Sequence, residues 1–577
     1  MSARRAAVVF VVFFAVLGAA VLLATLAVRR PTTAAPASTV LVFNVPAQLD
    51  EADEPAGTGF FEMVRRDRPT VWLLSNGIRR AASDGRIKAL VLHIDDIEWG
   101  WAKVAEIRDA VLAFRAAGKP VYASLAGGGE REYLLASAAR TISAPPLAVL
   151  EINGFTASAM FFRGTFDKVG ITPNFSHVGT YKTGVERYTR NGLTPESREA
   201  LQALVDDHYR IFVDSVATAR RLTQRTVESL LDEGPFNARE ARERGLLDTL
   251  LYRAELDSMA SKRHRSPTMT LTRYVTRLQR SVGGPKVALV GAVGVIAEGR
   301  SRNSPGQGEI LGAETLIKAL REVRDRSSIR AIVLRIDSPG GSAPAADEIW
   351  REVKRCRETK PVIVSMSDLA ASGGYYIAAP ADSIVAQPGT LTGSIGVYGG
   401  KLNIIGLYRK LGLNVETVSR GKHAEMLSPF RDFTPEEQAR FQSQMDEVYR
   451  TFVSRVSEGR HMTASAVDSV GQGRVWTGLA AAPRGLVDGL GGLERAFAMA
   501  RRRAGIGADE PLSIEIYPRV ERTLFQRLLA DLVGDEEDRN DPLSTAALPP
   551  IVRAWLAAAT FPTGEALALM PWSIEIR

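Results

Sequence analysis

The sequence predicts an α/β protein: two tandem domains of parallel β/α/β units that follow an N-terminal transmembrane helix. Three observations predict it. The first residues hold an uncharged run long enough to cross a bilayer; the chain then repeats itself at a constant offset; and in each copy short apolar strands alternate with amphipathic helices.

The uncharged run is Ala6 to Val28, within "MSARRAAVVFVVFFAVLGAAVLLATLAVRR". A single helix of this length spans a hydrocarbon core, and it exceeds the roughly 7–15 apolar residues of a cleavable signal peptide. Residues 1–30 are therefore expected to be a retained anchor, although the small residues of "TTAAPAS" leave cleavage open. Arg4 and Arg5 before the run are balanced by Arg29 and Arg30 after it, so charge bias orients it weakly. A short N-terminal arm followed by a long span exports what comes next, which places the body outside the cytoplasm.

The repeat begins with "SNGIRRAASDGRIKALVLHID" (Ser75 to Asp95), which matches "IKALREVRDRSSIRAIVLRID" (Ile317 to Asp337). Each is an amphipathic helix, a polar turn and a buried strand. Both copies continue through a second helix to a strand after Lys-Pro: "VYASLA" after Lys119-Pro120 and "VIVSMS" after Lys360-Pro361. At the same offset Arg131 to Ala139 falls on Gly373 to Ala381, and Lys168 to Phe175 on Lys410 to Thr417. Further on, "LTPESREALQALVDDHYRIFVDSVA" matches "FTPEEQARFQSQMDEVYRTFVSRVS"; the Thr-Pro-Glu opening is a capped helix start with proline in its first turn. The unit is too long for a solenoid repeat. The expected domains are 38–276 and 285–505, with the boundary in "RLQRSVGGPK" (Arg277 to Lys286) and an unmatched extension at 506–577, whose "VGDEEDRNDPLS" reads as a loop.

Composition removes several function classes. The 577 residues are 45% hydrophobic and 24% charged, a globular balance. One cysteine, Cys356, permits neither an intrachain disulfide framework nor a cysteine zinc site, and the six histidines show no ligand spacing, so no metal or other cofactor is expected. The net charge of +8 is spread along helices beside acidic residues, without an aromatic-interleaved patch, so nucleic acid is not an expected partner; solvated faces near anionic lipid explain it.

Chemistry concentrates in the second copy. "RIDSPGGSA" follows a strand, and Gly340-Gly341 lets backbone approach a ligand closely. Ser372, in "AASGGYYIA", stands at a strand-to-helix transition, where a helix N-terminus favours developing negative charge. N–H groups of Gly340 or Gly341, with Gly373 as second donor, can make an oxyanion hole. Alone, a Gly-Gly turn is ordinary loop structure and "ASGG" an ordinary helix entry; their co-occurrence after two strands of one domain points to catalysis. The first copy has Asp96, Ile97, Glu98 and Trp99 in place of Ser338, Pro339, Gly340 and Gly341, and Glu130 and Arg131 in place of Ser372 and Gly373. Ser372 itself has no base nearby in sequence.

"DSPGGS", "AASGGYYIA", "TLTGSIGV" and the anchor together resemble the signal peptide peptidase A family in its long tandem-repeat form, over nearly the whole chain beyond the anchor. The resemblance implies two ClpP/crotonase-like domains and a membrane-bound serine peptidase with a Ser/Lys dyad. It also implies a body on the periplasmic side of a bacterial inner membrane, apolar signal-peptide remnants as substrates, and a homo-oligomer, a tetramer by similarity. In that family the lysine lies in a "GTYK" segment of the first repeat, which carries over to Lys182 in "VGTYKTGVERY"; the nucleophile carries over to Ser372, and a lysine-orienting serine in "TGSIG" to Ser394. The duplication agrees: Lys182 falls opposite Ala424, as Glu130 does opposite Ser372, the complementary loss that one split site leaves behind. Lys422 and His423 flank Ala424, and a one- or two-residue shift makes either an alternative base. A lysine base must be neutral, hence desolvated or near positive charge. Two rival functions stay open on sequence alone: a crotonase-like acyl-CoA enzyme, and a catalytically silent membrane scaffold.

Overall fold

The computed structural model describes residues 38–51, 69–278, 283–304, 308–508, 510–519, 566–570 and 576. The expected anchor at 1–30 lies outside the described residues, and among those described no helix is long and apolar enough to cross a membrane.

The first half builds a six-stranded parallel sheet. Strands β1 (Thr39–Asn44), β2 (Ile87–Ile94), β3 (Val121–Leu125) and β4 (Thr141–Ala144) lie in the order β4-β3-β2-β1, with Thr249–Leu250 beside β4 and Thr268–Thr270 beside β1. Helices cover the faces, which is why "ALVLHI" in β2 is buried residue after residue instead of alternately. Helix α1 (Trp101–Ala116) connects β2 to β3, and α2 (Glu130–Ala136) connects β3 to β4. Beyond them come β5 (Thr172–Val178) and the long α3 (Pro195–Arg220), whose Thr194 cap and first-turn proline stand where the sequence places them.

The second half repeats the plan. Strands β6 (Lys286–Val293) and β7 (Ile329–Ser338) are followed by the short β8 (Gly340–Ser342), α4 (Ala343–Arg357), β9 (Val362–Ala371), α5 (Gly373–Ala378), β10 (Leu391–Gly393), β11 (Val397–Asn403) and α6 (Pro435–Arg460). β10-β9-β7-β6 form the centre of an eight-stranded sheet and are parallel throughout. Each half has its own apolar core, one drawn from Leu41 to Val275 and one from Ala288 to Ala568.

A third, seven-stranded sheet joins the halves. In it β8 is followed by β12 (Leu567–Leu569), then β11, then β5. Thus β5 of the first half pairs antiparallel with β11 of the second along its full length, from Thr172 opposite Asn403 to Val178 opposite Val397. Buried charges fasten the same junction: the Arg335 guanidinium on β7 donates to Glu51 at 2.8 and 3.0 Å and to Glu106 of α1 at 3.2 Å. None of the three is predicted by motif, because each reads in sequence as one more surface charge.

Candidate active site

Three sequence-predicted residues meet at the junction. Lys182 Nζ lies 2.8 Å from Ser372 Oγ, 2.9 Å from Ser394 Oγ and 2.9 Å from the Ser394 carbonyl oxygen. All three residues are fully buried. Burial alone drives the Lys182 ammonium well below the usual lysine range, with no carboxylate to oppose it.

Local structure explains how each arrives. The β9 strand ends at Ala371, and Ser372 turns the chain into α5 at φ 55°, ψ −114°, a conformation unfavourable for a residue with a Cβ. Its N–H donates to the Gly393 carbonyl at 2.8 Å, and its own carbonyl accepts from Tyr376 N–H at 2.8 Å, so both sides of the strained turn are tied down. Ser394, also at positive φ (52°), follows β10 and is held by its N–H on the Arg474 carbonyl at 2.7 Å. Lys182 sits on a turn after β5, whose pairing with β11 carries it into the second half. Tyr181 N–H donates to Gln472 O at 2.7 Å, and Gly473 makes room for the turn: a Cβ there would lie 2.4 Å from Lys182 N.

The glycines form the other wall. Gly340 N–H donates to Ser338 Oγ at 3.2 Å and so serves its own turn, while Ser338 Oγ–H donates to Gly294 O at 2.7 Å. Gly340 (φ 96°) matters for its missing Cβ, which would lie 2.6 Å from Gly373 N and 2.0 Å from Ala568 O. Gly341 and Gly373 face each other, a Cβ on Gly373 standing 3.1 Å from Gly341 N. Strand β12 lies along this wall: Gly340, Gly341 and Ser342 pair with Leu569, Ala568 and Leu567, and Leu567 also bridges Tyr398 of β11. Met570 N–H donates to Pro339 O at 2.7 Å, and Ala343 N–H to Ala566 O at 3.1 Å. The chain's own C-terminal segment therefore runs as an extended strand past Ser372, with the Ala568 carbonyl against Gly340 and Gly373. The sequence marks 506–577 only as an unmatched extension and leaves its role open; the short alternation "ALALM" is the one local signal of this strand.

The alternative bases lie elsewhere. Lys422 is mostly exposed and pairs with Glu436, and His423 stands 3.6 and 3.8 Å from Glu436 and Glu437 at the start of α6. In the first half, Glu130 Oε1 accepts from Asn153 and Gly154 N–H at 2.8 and 2.9 Å, and Glu132 accepts from Ile97 and Gly129 N–H at 2.8 and 2.9 Å. Carboxylates thus occupy the turn that glycines keep open in the second half.

A second cluster, absent from the sequence reading, braces the site. Lys103 Nζ on α1 lies 2.9 Å from Asp337 and 3.7 Å from Asp368. Asp368 accepts from Gly100, Ala102 and Lys103 N–H at 3.1, 2.8 and 3.0 Å, capping α1, and Asp337 accepts from Leu369 N–H at 3.1 Å. Asp337 leads into the glycine turn and Asp368 lies in the strand that ends at Ser372. One first-half lysine therefore ties together the strand before the glycine turn and the strand before Ser372.

The sequence profile described as Peptidase family S49 matches the chain twice, over residues 113–265 and 354–507. The chain is 38% identical over 453 residues to the chloroplastic serine protease SPPA of Arabidopsis thaliana, covering 76% of this chain and 67% of that one. It is 30% identical over 499 residues to protease 4 of Salmonella typhi (84% and 78% of the two chains) and 31% identical over 478 residues to protease 4 of Haemophilus influenzae (79% and 77%). With that profile present in both halves and relatives at 30–38% identity covered over two thirds or more of their length, the chain belongs to peptidase family S49 and is a serine peptidase.

Proposed function

We propose that the chain is a membrane-anchored endopeptidase that degrades cleaved signal peptides, using a Ser372–Lys182 dyad whose two members come from different repeats. The observation that carries this reading is the 2.8 Å contact between Lys182 Nζ and Ser372 Oγ in a site closed to water.

The donor count favours a working base. A neutral lysine amine has two N–H donors and one lone pair. Ser394 O is an obligate acceptor and Ser394 Oγ a second, so both donors are used and the lone pair is left for the Ser372 hydroxyl proton. Ser372 Oγ attacks the peptide carbonyl as its proton passes to Nζ. The tetrahedral oxyanion is held by the N–H groups of Gly341 and Gly373, while Gly340 admits it for want of a Cβ. The new ammonium protonates the leaving amine; water then attacks the acyl-enzyme as its proton passes to Lys182, and the ammonium gives that proton to Ser372 Oγ as it leaves, restoring the neutral lysine and the serine hydroxyl.

A substrate peptide lies where β12 lies, as a strand added between β8 and β11, so main-chain pairing gives affinity and alternate side chains enter the protein. The tail segment has to leave for that. Burial of Leu567, Ala568 and Met570 fits a groove for apolar sequences with small residues at the scissile carbonyl.

Residues 1–30 span the bacterial inner membrane in this reading, with two ClpP/crotonase-like domains, 38–276 and 285–505, on its periplasmic side. The protein works as a homo-oligomer, with neither cofactor nor nucleic acid. A serine-directed acylating peptidase inhibitor should label Ser372 in the wild-type chain and fail in Lys182→Ala and Ser372→Ala. Labelling that persists in Lys182→Ala would sink the split dyad. Specific acyl-CoA binding would favour the crotonase-like alternative, and absence of labelling in the wild type a silent scaffold.

A further inference from the structure

Lys182 reaches Ser372 from between β5 and a single 3-10 turn (Thr183–Val185), so neighbouring segments have to fix where its amine stands. The segment Gln472–Arg474 does so largely with its backbone. Tyr181 N–H donates to the Gln472 carbonyl at 2.7 Å, Thr180 N–H to Gln472 Oε1 at 3.1 Å, and Ser394 N–H to the Arg474 carbonyl at 2.7 Å. The residue before the base and the serine that accepts from it are thus bonded to carbonyls of one short segment. Gln472 and Gly473 take that turn at φ 51° and 78°, and the strand Val475–Thr477 that follows pairs antiparallel with β10.

The Arg474 side chain grips the same turn. Its guanidinium lies over the Tyr181 ring, 4.8 Å from the centroid, and over the Trp476 ring at 4.4 Å. Trp476 is itself pinned, its Nε1–H donating to the Val470 carbonyl at 2.8 Å. Arg474 Nη1 donates to Glu199 Oε1 at 2.6 Å, and the Tyr181 hydroxyl donates to Glu199 Oε2 at 3.2 Å. Glu199 stands on α3, whose start is tied to the Lys182 segment a second time: buried Glu186 accepts from the Thr194 and Ser197 hydroxyls at 2.8 and 2.7 Å. One carboxylate, one phenol and one guanidinium therefore join α3 of the first half, the turn that carries the base, and the loop that holds Ser394.

The duplicates of these residues lack the arrangement. At the offset that aligns Thr194 with Thr434, Glu199 falls on Ala439 and Arg474 on Gly234; at the offset that puts Lys182 opposite Ala424, Tyr181 falls on His423. Glu199 and Tyr181 stay in the half that keeps the lysine, and Arg474 in the half that keeps both serines. Stability is a poor account of this. The Glu199 side chain is 55% exposed, and ion pairs so exposed contribute little. Arg474 Nε is buried with no hydrogen-bond partner among the described residues, which is unfavourable.

We propose that Arg474, Glu199 and Tyr181 are positioning residues of the peptidase, which together fix the Lys182 turn against Ser394 so that the amine lone pair meets the Ser372 hydroxyl. None of the three touches the reacting atoms; they act through Lys182. The inference rests on the dyad proposed above and names what sets its geometry. A planar guanidinium stacks on Tyr181 and Trp476 while it donates in its own plane to Glu199, and an ammonium cannot do both. The position therefore calls for arginine and not for a cation of any shape.

Kinetics of the full-length protein in detergent test it. A misplacement of about 1 Å from a remote change costs up to about 100-fold. Arg474→Met and Glu199→Ala should therefore each lower kcat for an apolar peptide by about 10- to 100-fold, with KM within about twofold because no wall of the groove changes. Arg474→Lys should recover little, whereas Glu199→Gln, which keeps an oxygen for the guanidinium, should retain most of kcat. The double variant Arg474→Met, Glu199→Ala should fall no further than the worse single one, since both act through one lysine position. A serine-directed acylating inhibitor should label Ser372 in these variants more slowly, yet to the wild-type stoichiometry, which a partly misfolded sample would not reach. Lys182→Ala, run alongside, separates the two readings: an active Lys182→Ala overturns the dyad and this inference with it. An inactive Lys182→Ala beside Arg474→Met and Glu199→Ala at wild-type kcat overturns the positioning role alone. Additive losses in the double variant, or labelling that stops short, would reduce the cluster to folding and overturn it too.

Discussion

Removing the Ser394 hydroxyl isolates lysine orientation from the rest of the chemistry. With Oγ gone, one Lys182 N–H loses its 2.9 Å acceptor while the Ser394 carbonyl keeps the other. The freed N–H has Ser372 Oγ, 2.8 Å away, as its nearest remaining acceptor, and turning there points hydrogen instead of the lone pair at the nucleophile. A buried donor left without its partner costs about 1–3 kcal/mol, and each 1.36 kcal/mol on a barrier is a factor of ten. The expected loss in kcat is therefore about 5- to 150-fold.

Backbone strain separates this from general damage. Ser394 sits at φ 52°, where a side chain costs on the order of 1 kcal/mol that glycine avoids. Ser394→Gly should therefore lose activity while its Tm stays level or rises, whereas Ser394→Ala loses activity at equal or lower Tm. Steady-state hydrolysis of an apolar peptide, run beside differential scanning calorimetry, reads both. A Ser394→Gly enzyme within twofold of wild-type kcat would refute the orienting role, and a parallel fall in kcat and Tm would reduce it to packing.

Lys182→Met should abolish hydrolysis, by at least about 10⁴-fold, yet stabilise the fold at neutral pH. Burial depresses the folded-state pKa below the unfolded value, so the unfolded chain binds more protons between the two. Wild-type stability must then rise with pH across that window, its penalty being complete below the folded pKa; the variant should lack this slope in Tm against pH. The same depression puts the ascending limb of kcat against pH below the ordinary lysine range. Deleting residues 566–577 should lower KM for peptides, and a synthetic peptide of that segment should then inhibit competitively; an unchanged KM would mean that β12 lies outside the substrate path. Glu130→Ser should create no second labelled serine, because Glu132 still fills the adjacent turn.

What sequence could reach depended on whether a residue's partners were also written as a pattern. The parallel sheets and the Thr194 and Thr434 helix starts follow from periodicity and capping, which are local. The Ser372–Lys182 contact is remote; the family resemblance named both residues, and the duplication, in which each half lacks what the other keeps, agreed with it. Gly340 and Gly341 looked equivalent, and only the bond from Gly340 N–H to Ser338 Oγ separates them. The Arg335–Glu51–Glu106 junction and the strand at 567–569 had no such reference, since nothing in the other half corresponds to the tail and buried charges look in sequence like exposed ones.

The Lys103 brace shows why the split site needs more than its dyad. Two acidic side chains, Asp337 and Asp368, stand at the roots of the glycine turn and of the strand that leads to Ser372, and one largely buried ammonium serves both. Burial raises the Asp337 carboxyl to about 6, and Lys103 is the largest influence pulling it back down. In Lys103→Met that pull disappears, leaving two largely buried carboxylates uncompensated at neutral pH; because all three side chains keep some solvent exposure, the defect falls below the about 3–5 kcal/mol of a broken, fully buried pair. An Asp whose folded pKa lies above its unfolded value binds the extra proton when folded, so its contribution to stability falls as pH rises between the two. The Tm deficit of Lys103→Met should therefore be large at pH 7.5 and shrink at pH 5, where Asp337 is neutral. Adding Asp337→Asn should recover much of it. Because the brace acts on loop position and not on the proton transfer itself, kcat should fall without moving the Lys182 limb of the pH profile. A Tm deficit equal at both pH values would show that Lys103 contributes packing alone, and a displaced limb would place it in the proton path.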